Sequence, residues 1–197
     1  MLYSGVSGGE EKGFVAKYDS SHNFLWGFGI QGTSDVQMWN GYVDTTGNTY
    51  IMASTNGTVV DFDPGPGTAN TTGSDKMAYA KYDPSGNLLW MKTFATSILN
   101  PYVVGDNNDH VIVSGGVLNS TIDLDPGPGV DNHTATGYMA VLAKYDANGN
   151  YIWGSSVHSD DNVVFYASLA IDENDNIAVH GTFPVSYTHL RAHETSE

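Results

Sequence analysis

The chain has 197 residues, of which 40% are hydrophobic and 12% aromatic, and its net charge is −15 because 22 acidic side chains oppose 7 basic ones. The aromatic content excludes a disordered chain, and the shortage of lysine and arginine excludes a nucleic-acid partner, since phosphate binding needs clustered cations. The absence of cysteine excludes disulfide and thiolate chemistry, and the lack of a long apolar run argues against membrane insertion.

One stretch of sequence occurs three times along the chain. Its copies read AKYDSSHNFLW, AKYDPSGNLLW and AKYDANGNYIW and end at Trp26, Trp90 and Trp153, which are 64 and 63 residues apart. A regular period of this length is typical of a repeat protein. We therefore divide the chain into an irregular lead (residues 1–12), a repeat region (13–184) and a tail (185–197).

From Gly13 the first copy reads FVAKYD, then a turn, then NFLWGFGI, and its alternating pattern predicts two paired strands. The same D-x-x-G-N type of turn recurs through the chain. The fourth position of the turn, directly before its last residue (Asn or His), is occupied by His22, Gly47, Gly86, Asp109, Gly149 and Asp175. Nearly all of these residue types tolerate a positive φ, so six hairpins are predicted, with Gly47, Gly86 and Gly149 in structural roles.

The predicted strands number four per repeat, and no helical period of 3.6 is present. This pattern predicts an all-β fold: a β-propeller fragment of four-stranded antiparallel blades, with about two complete repeats plus a half repeat at each end. Trp26, Trp90 and Trp153 are predicted to be structural residues packed between blades. A ligand-stacking role for the three rings is the alternative.

Two longer segments between predicted strands, residues 56–76 and 118–137, are here called the excursions. They carry the strongest candidate for a binding site. They contain DFDPGPG, with Asp61 and Asp63, and DLDPGPG, with Asp123 and Asp125. Alternate strand residues share a face, so each aspartate pair is a candidate for Ca²⁺ ligands, although Ca²⁺ needs six to eight oxygens. The alternative is a rigid type II turn formed by the Pro-Gly pairs, without any ligand.

Other polar residues divide into those that follow the repeat and those that break it. Lys17, Lys81 and Lys144 share one register and are predicted to balance neighbouring aspartates, with their stems packed between blades. The residues that break the repeat are His133, His158, Asp160, Asp161, Glu173 and His180. No Ser-His-Asp set or facing carboxylate pair can be assembled from their spacing, so no catalytic residue is assigned.

The tail differs abruptly from the repeats. Residues 185–195, VSYTHLRAHET, resemble an in-frame translation of the adaptor used in transposase-based sequencing libraries. We expect a non-native tail on a fragment from an environmental assembly, with the remainder of the propeller missing from this chain.

Taken together, AKYD-x-x-G-N-x-x-W, the D-x-x-G-N hairpins and DFDPGPG resemble the bacterial β-propeller repeats called SBBP repeats. The resemblance implies an extracellular or cell-surface location and a non-enzymatic scaffold or binding module of a larger secreted protein, with a protein or glycan ligand. It supplies no catalytic residues, and the first residues of the chain contain no signal peptide. The alternative is part of a secreted carbohydrate-active or other hydrolytic enzyme whose active site lies outside this chain.

Overall fold

The computed structural model describes residues 12–32, 35–56, 59–73, 76–158, 165–182 and 191–193. Every regular element in these ranges is a β-strand, and all the pairings are antiparallel. Within the same ranges, no helix is long and apolar enough to span a bilayer. The predicted all-β fold is therefore confirmed.

Two sheets each contain the four strands of a complete blade. The first blade consists of β4 (Val36–Val43), β5 (Thr49–Thr55), β8 (Lys76–Tyr82) and β9 (Leu88–Phe94), paired in that order. The second blade consists of β10 (Leu99–Gly105), β11 (Val111–Leu118), β14 (Tyr138–Tyr145) and β15 (Tyr151–His158). The repeated AKY stretch forms the third strand of a blade, and the residues before the tryptophan begin the fourth.

A half-blade stands on each side of the complete blades. The N-terminal half-blade pairs β1 (Phe14–Tyr18) with β2 (Phe24–Gly29), which correspond to third and fourth strands. The C-terminal half-blade pairs β16 (Phe165–Ile171) with β17 (Ile177–Thr182), which correspond to first and second strands. The predicted content of two complete repeats and two halves is thus confirmed.

The excursions between second and third strands form small sheets of their own. In the first blade, β6 (Val59–Asp61) pairs with β7 (Asn70–Thr72) and also with β3 (Gln31–Gly32), which follows the N-terminal half-blade. In the second blade, β12 (Thr121–Asp123) pairs with β13 (Asn132–Thr134). The first excursion therefore also connects the N-terminal half-blade to the first blade.

Three residues of the predicted tail take part in a sheet. They form β18 (Arg191–His193), which pairs with residues 156–158 at the outer edge of the second blade. The other ten tail residues and the lead 1–11 lie outside the described ranges. The assignment of residues 185–197 as non-native stays a prediction.

The hydrophobic core lies between blades. On β5, Tyr50 and Met52 pack towards the second blade, whereas Ile51 and Ala53 pack towards the N-terminal half-blade. A strand buried on both faces needs apolar residues at nearly every position, which is why β5, β8 and β11 are almost continuously buried. Blade packing, and not a separate core inside each blade, therefore stabilises the fold.

Two of the three repeated tryptophans, Trp26 and Trp90, connect one blade to the next, whereas the inter-blade position of Trp153 stays a prediction. Trp26 Nε1 donates to the carbonyl of Pro84, and Trp90 Nε1 donates to the carbonyl of Ala147, at 2.9 and 3.3 Å. Each indole covers the glycine of the neighbouring turn, so that a Cβ on Gly86 would lie 2.9 Å from the Trp26 ring. These two rings occupy the inter-blade position, and they leave room only for glycine beneath them.

We expect Gly149→Ala to lower the free energy of unfolding by at least about 1 to 2 kcal/mol, since a left-handed residue with a Cβ is strained by that amount. Gly149 has φ of +75°, and its added Cβ would lie 3.0 Å from the Trp90 ring. Urea unfolding measures the change, with the exposed neighbour Asn148→Ala as the control. Equal midpoints for the two variants would contradict the predicted tryptophan contact.

Candidate functional site

The two ends of each blade differ in chemistry. The hairpin turns that join first to second and third to fourth strands lie at one end, here called the turn end. The excursions that join second to third strands lie at the other, the excursion end. The candidate residues from the sequence are distributed between these two ends.

At the turn end, each of the six turns is built on one aspartate. Asp83 Oδ1 accepts the N–H groups of Ser85 and Asn87 at 2.8 and 2.9 Å, and Asp83 Oδ2 accepts Asn87 Nδ2 at 2.8 Å. The same arrangement is centred on Asp19, Asp44, Asp106, Asp146 and Asp172. The fourth residue of each turn has a positive φ: His22, Gly47, Gly86, Asp109, Gly149 and Asp175.

Two lysines join third strands to these turn aspartates. Lys144 Nζ lies 2.7 Å from Asp106 Oδ2, and Lys81 Nζ lies 3.6 Å from Asp44 Oδ2. Both aspartate side chains are only 1% exposed, so an unpaired charge there would be costly. Lys81 and Lys144 therefore have the charge-balancing role predicted from their register, whereas Lys17 Nζ donates to the carbonyl of Gly47.

The excursion end holds the four aspartates proposed as calcium ligands. Asp61 Oδ1 accepts the N–H groups of Asp63 and Ala69 at 3.0 and 2.8 Å, and Asp63 Oδ1 accepts that of Gly65 at 2.7 Å. Asp123 and Asp125 repeat these bonds in the second blade. These carboxylates accept hydrogen bonds from the backbone N–H groups of the excursion. The alternation of strand residues did not predict this role.

Calcium needs more oxygen ligands than these pairs provide. Among the described residues, no group of three or more His, Asp or Glu side chains is placed to hold a metal ion. One carboxylate oxygen of each pair member already accepts backbone N–H groups. Calcium binding at Asp61, Asp63, Asp123 and Asp125 stays a prediction, and the local hydrogen bonds account for these aspartates without it.

A polar network that the sequence analysis missed lies beneath the second excursion. His133 Nδ1 is 2.8 Å from Ser156 Oγ, and His133 Nε2 is 3.1 Å from Asp131 Oδ2, which also accepts the Tyr151 hydroxyl. His133 and Ser156 are 7% and 3% exposed. Burial raises the pKa of Tyr151, and the hydrogen bond to Asp131 raises it further.

This network contains the residue types of a Ser-His-Asp triad. Because His133 and Ser156 are buried, we interpret it as a structural network and not as a catalytic one. A nucleophilic serine must reach a substrate carbonyl, whereas Ser156 is enclosed by the second blade. The network is also specific to one repeat: in the first blade Thr71 is the counterpart of His133, and its hydroxyl has no hydrogen-bond partner among the described residues. The network satisfies buried polar groups beneath the excursion.

Comparing the two excursions would have identified this network. Their sequences align from DFDPGPG and DLDPGPG onwards, and Ala69 and Thr71 are replaced together by Asp131 and His133. Of the other residues that break the repeat, Glu173 and His180 are exposed, whereas Asp160 and Asp161 lie outside the described residues. Of His158 only the backbone is described, as part of β15, and neither Glu173 nor His180 shares a hydrogen bond or ion pair with His133.

The hydrogen bonds of the turns lower the pKa of all six aspartates. For Asp19, Asp83 and Asp172 the largest cause is the bond from the closing asparagine side chain. For Asp44, Asp106 and Asp146 burial alone would raise the pKa, but the combined hydrogen bonds outweigh it. Folding therefore favours the charged form of every turn aspartate.

We expect stability to fall in acid because of these turns. The folded pKa of each aspartate lies below the unfolded value of about 3.9, so its contribution is complete above that pH and is lost as the pH falls through the folded pKa. Urea unfolding at pH 7, 5, 4 and 3 measures the loss, with a steep fall expected below about pH 4. Unchanged stability at pH 3 would contradict the role of the turn carboxylates.

For the buried network, we expect His133→Ala to lower the free energy of unfolding by about 1 to 3 kcal/mol, because Ser156 and Asp131 would lose their buried partner. The control is His110→Asn, which places at a partly exposed turn position the residue found in the other five turns; Asn can keep the bond to Asp106 Oδ2, so stability should change little. Thermal unfolding of both variants is the measurement. Equal effects of the two substitutions would show that the network is dispensable.

The comparisons with known proteins support the architecture at a coarse level. No family model matches the chain. The chain is 30% identical over 119 residues to an uncharacterized WD repeat-containing protein of Acanthamoeba polyphaga mimivirus, an alignment that covers 52% of this chain and 8% of that protein. The chain thus spans a small part of the relative. WD repeats form propeller blades, so the similarity agrees with a propeller-type repeat protein.

Proposed function

We propose that this chain is a non-enzymatic β-propeller scaffold that binds a protein or glycan ligand at its excursion end, within a larger bacterial secreted or surface protein. The observation that supports binding is the exposure of two PGPG loop tips, residues 64–67 and 126–129, on a hydrogen-bonded base. They are largely exposed, and the backbone at their base is fixed by hydrogen bonds to the Asp61 and Asp123 carboxylates and from the Tyr82 and Tyr145 hydroxyls. Preorganised exposed loops lose little entropy on binding and commonly carry function.

The anchoring of the tips is the same in both blades. Phe62 and Leu124 are each 1% exposed, and their carbonyls accept the hydroxyls of Tyr82 and Tyr145 at 2.8 Å. A Cβ on Gly67 would lie 2.2 Å from Asp63 Oδ2, so the loop closes tightly over its cap. Two equivalent tips on neighbouring blades suit a ligand with repeated units, because each additional contact raises the effective concentration of the next.

The scaffold proposal agrees with the type of protein to which the chain is similar, a WD repeat-containing protein. The hydrolytic alternative places its catalytic site outside this chain, and in the described network His133 and Ser156 are buried. The secreted or surface location rests on the resemblance to SBBP repeats. An export signal in the complete open reading frame would support it, and a cytoplasmic operon would count against it.

We expect the double variant Pro66→Glu, Pro128→Glu to weaken ligand binding by at least about tenfold, because it places a charge on each exposed tip. Glycan arrays and a panel of purified cell-surface proteins identify the ligand, and surface plasmon resonance measures its affinity. The control is Ser85→Glu, Asn148→Glu, which adds the same charges to exposed turns of the same blades at the turn end.

Both double variants should unfold at the temperature of the unmodified protein, because all four positions are exposed. Retained affinity in the tip variant, or an equal loss in the turn-end control, would overturn binding at the excursion end. Failure to bind any glycan or protein of the panel would count against the scaffold proposal as a whole.

A further inference from the structure

The two PGPG tips carry no side-chain functional group. Each tip consists of two prolines and two glycines, and every tip residue except Pro126 is exposed. The tips are exposed bends of the chain, whereas sites that enclose a small ligand are concave. They are therefore better suited to enter a groove of a partner than to hold a small ligand.

The backbone of the tips offers acceptors and few donors. Proline has no N–H, and the Gly65 N–H donates to Asp63 Oδ1 at 2.7 Å. Gly127 donates to Asp125 Oδ1 at the same distance in the second blade. Among the hydrogen bonds of the described residues, none has a tip carbonyl as its acceptor. A partner therefore meets proline rings and carbonyl oxygens.

Proline also restricts the backbone of the tips. Its ring fixes φ at about −65°, and it supplies two of the four residues in each tip. None of the four tip glycines has a left-handed φ. The type II turn considered from the sequence, which needs a positive φ after its proline, is therefore not formed. The tips are proline-restricted bends, so little entropy is lost when a partner orders them.

The base of each tip is negatively charged. Four half-buried carboxylates lie there: Asp61, Asp63, Asp123 and Asp125. None of the four forms an ion pair with another described residue. Apart from Lys76, at the end of the first excursion, the excursions contain no lysine or arginine. A partner with basic residues would complement this charge.

We propose that the two tips are recognised by a protein with an aromatic-lined groove flanked by basic residues. Aromatic rings of the groove pack against the tip prolines, and Trp or Tyr donors bind the tip carbonyls. Aromatic grooves bind proline-rich segments in this way, because such segments are preordered and have no internal hydrogen bonds. This inference rests on the ligand binding proposed for the excursion end and specifies the class of partner.

A glycan is less well matched to the same surface. Small polar ligands are oriented by a few precisely placed polar groups in a concave site. The tips have no polar side chain, and one of the two N–H groups in each tip is already bound to an aspartate. The chemistry of the tips therefore favours a protein over a glycan.

The second tip continues into further apolar surface. Val130 follows it directly and is 73% exposed, whereas the exposed Thr68 follows the first tip. Both tips nevertheless have the same four residues and the same bonds to their aspartates. A partner with two grooves would bind both, and each tip would raise the effective concentration of the other.

Removing one exposed ring from each tip tests the proline contact. The variant Pro66→Ala, Pro128→Ala adds no charge, and its control is Pro84→Ala, which removes an exposed ring at the turn end. All three proteins should unfold at the same temperature, because the three rings are exposed. A difference in binding between the variants then reports on the tips and not on folding.

The probes are purified domains of the SH3 and WW classes, which have aromatic-lined grooves. Matched domains in which a groove tryptophan is replaced by alanine are the controls, and a glycan array is tested in parallel. Surface plasmon resonance measures binding to the immobilised chain. We expect at least one intact domain to bind with a dissociation constant below about 100 µM.

For that domain, the tip variant should raise the dissociation constant at least about tenfold, and Pro84→Ala should leave it unchanged. The domain without its groove tryptophan should not bind. Absence of binding by every intact domain, or binding that depends on neither the tryptophan nor the tip prolines, would overturn the proposal.

The same measurements separate this inference from the proposed function. A glycan or protein that is weakened by Pro66→Glu, Pro128→Glu but not by the alanine variant would leave excursion-end binding in place and overturn the aromatic groove. Failure of every domain, protein and glycan to bind would overturn both.

Proton NMR and salt dependence supply independent readouts. Ring protons of Pro66 and Pro128 should move upfield on binding, because they would lie over aromatic faces, and those of Pro84 should not move. Raising the salt concentration from about 50 to about 300 mM should weaken binding at least about threefold. Unchanged proline shifts would overturn the ring contact, and unchanged affinity would overturn the basic flank.

Discussion

Face-to-face packing of neighbouring blades is the constraint on which the rest of this structure depends. A strand such as β5 buries one set of side chains against the preceding blade and the other set against the following blade. Cross-strand contacts within the sheet, such as that between the rings of Tyr50 and Tyr79, cover each set only in part, so we expect a single blade to be unstable in isolation. Trp26 and Trp90 strengthen this dependence, because each indole donates a hydrogen bond to a turn of the next blade.

The acidic composition has a structural component at the turn end. Each turn aspartate accepts backbone N–H groups that would otherwise lack partners, and those bonds lower its pKa. In the two complete blades the first-turn aspartate is also buried beside a lysine from the third strand. Part of the surplus of 15 negative charges is therefore needed to form hairpins, independently of any ligand.

The sequence predicted those parts of the structure that depend on local chemistry. The turn slot held by His22, Asp109 and Asp175 could be recognised because a left-handed residue depends on its own side chain and its neighbours. The role of Asp61 could not be recognised in that way, because its carboxylate binds the N–H of Ala69, eight residues later, only after β6 and β7 pair. Ser156 likewise reaches His133 only when the third and fourth strands of the blade pair beneath the excursion.

The two ends of a blade are unequal in their capacity to acquire a binding function. At the turn end, most polar atoms are already engaged in holding the hairpins, so a ligand that used those carboxylates would compete with the fold. At the excursion end, the structural bonds lie at the base, and the tips beyond them are exposed. The copies differ accordingly: the turn aspartate is present in all six turns, whereas Ala69 and Thr71 of one excursion become Asp131 and His133 in the other. Both excursions accommodate these different side chains while the blades pack in the same way. For this physical reason we expect a ligand-binding site at the excursion end.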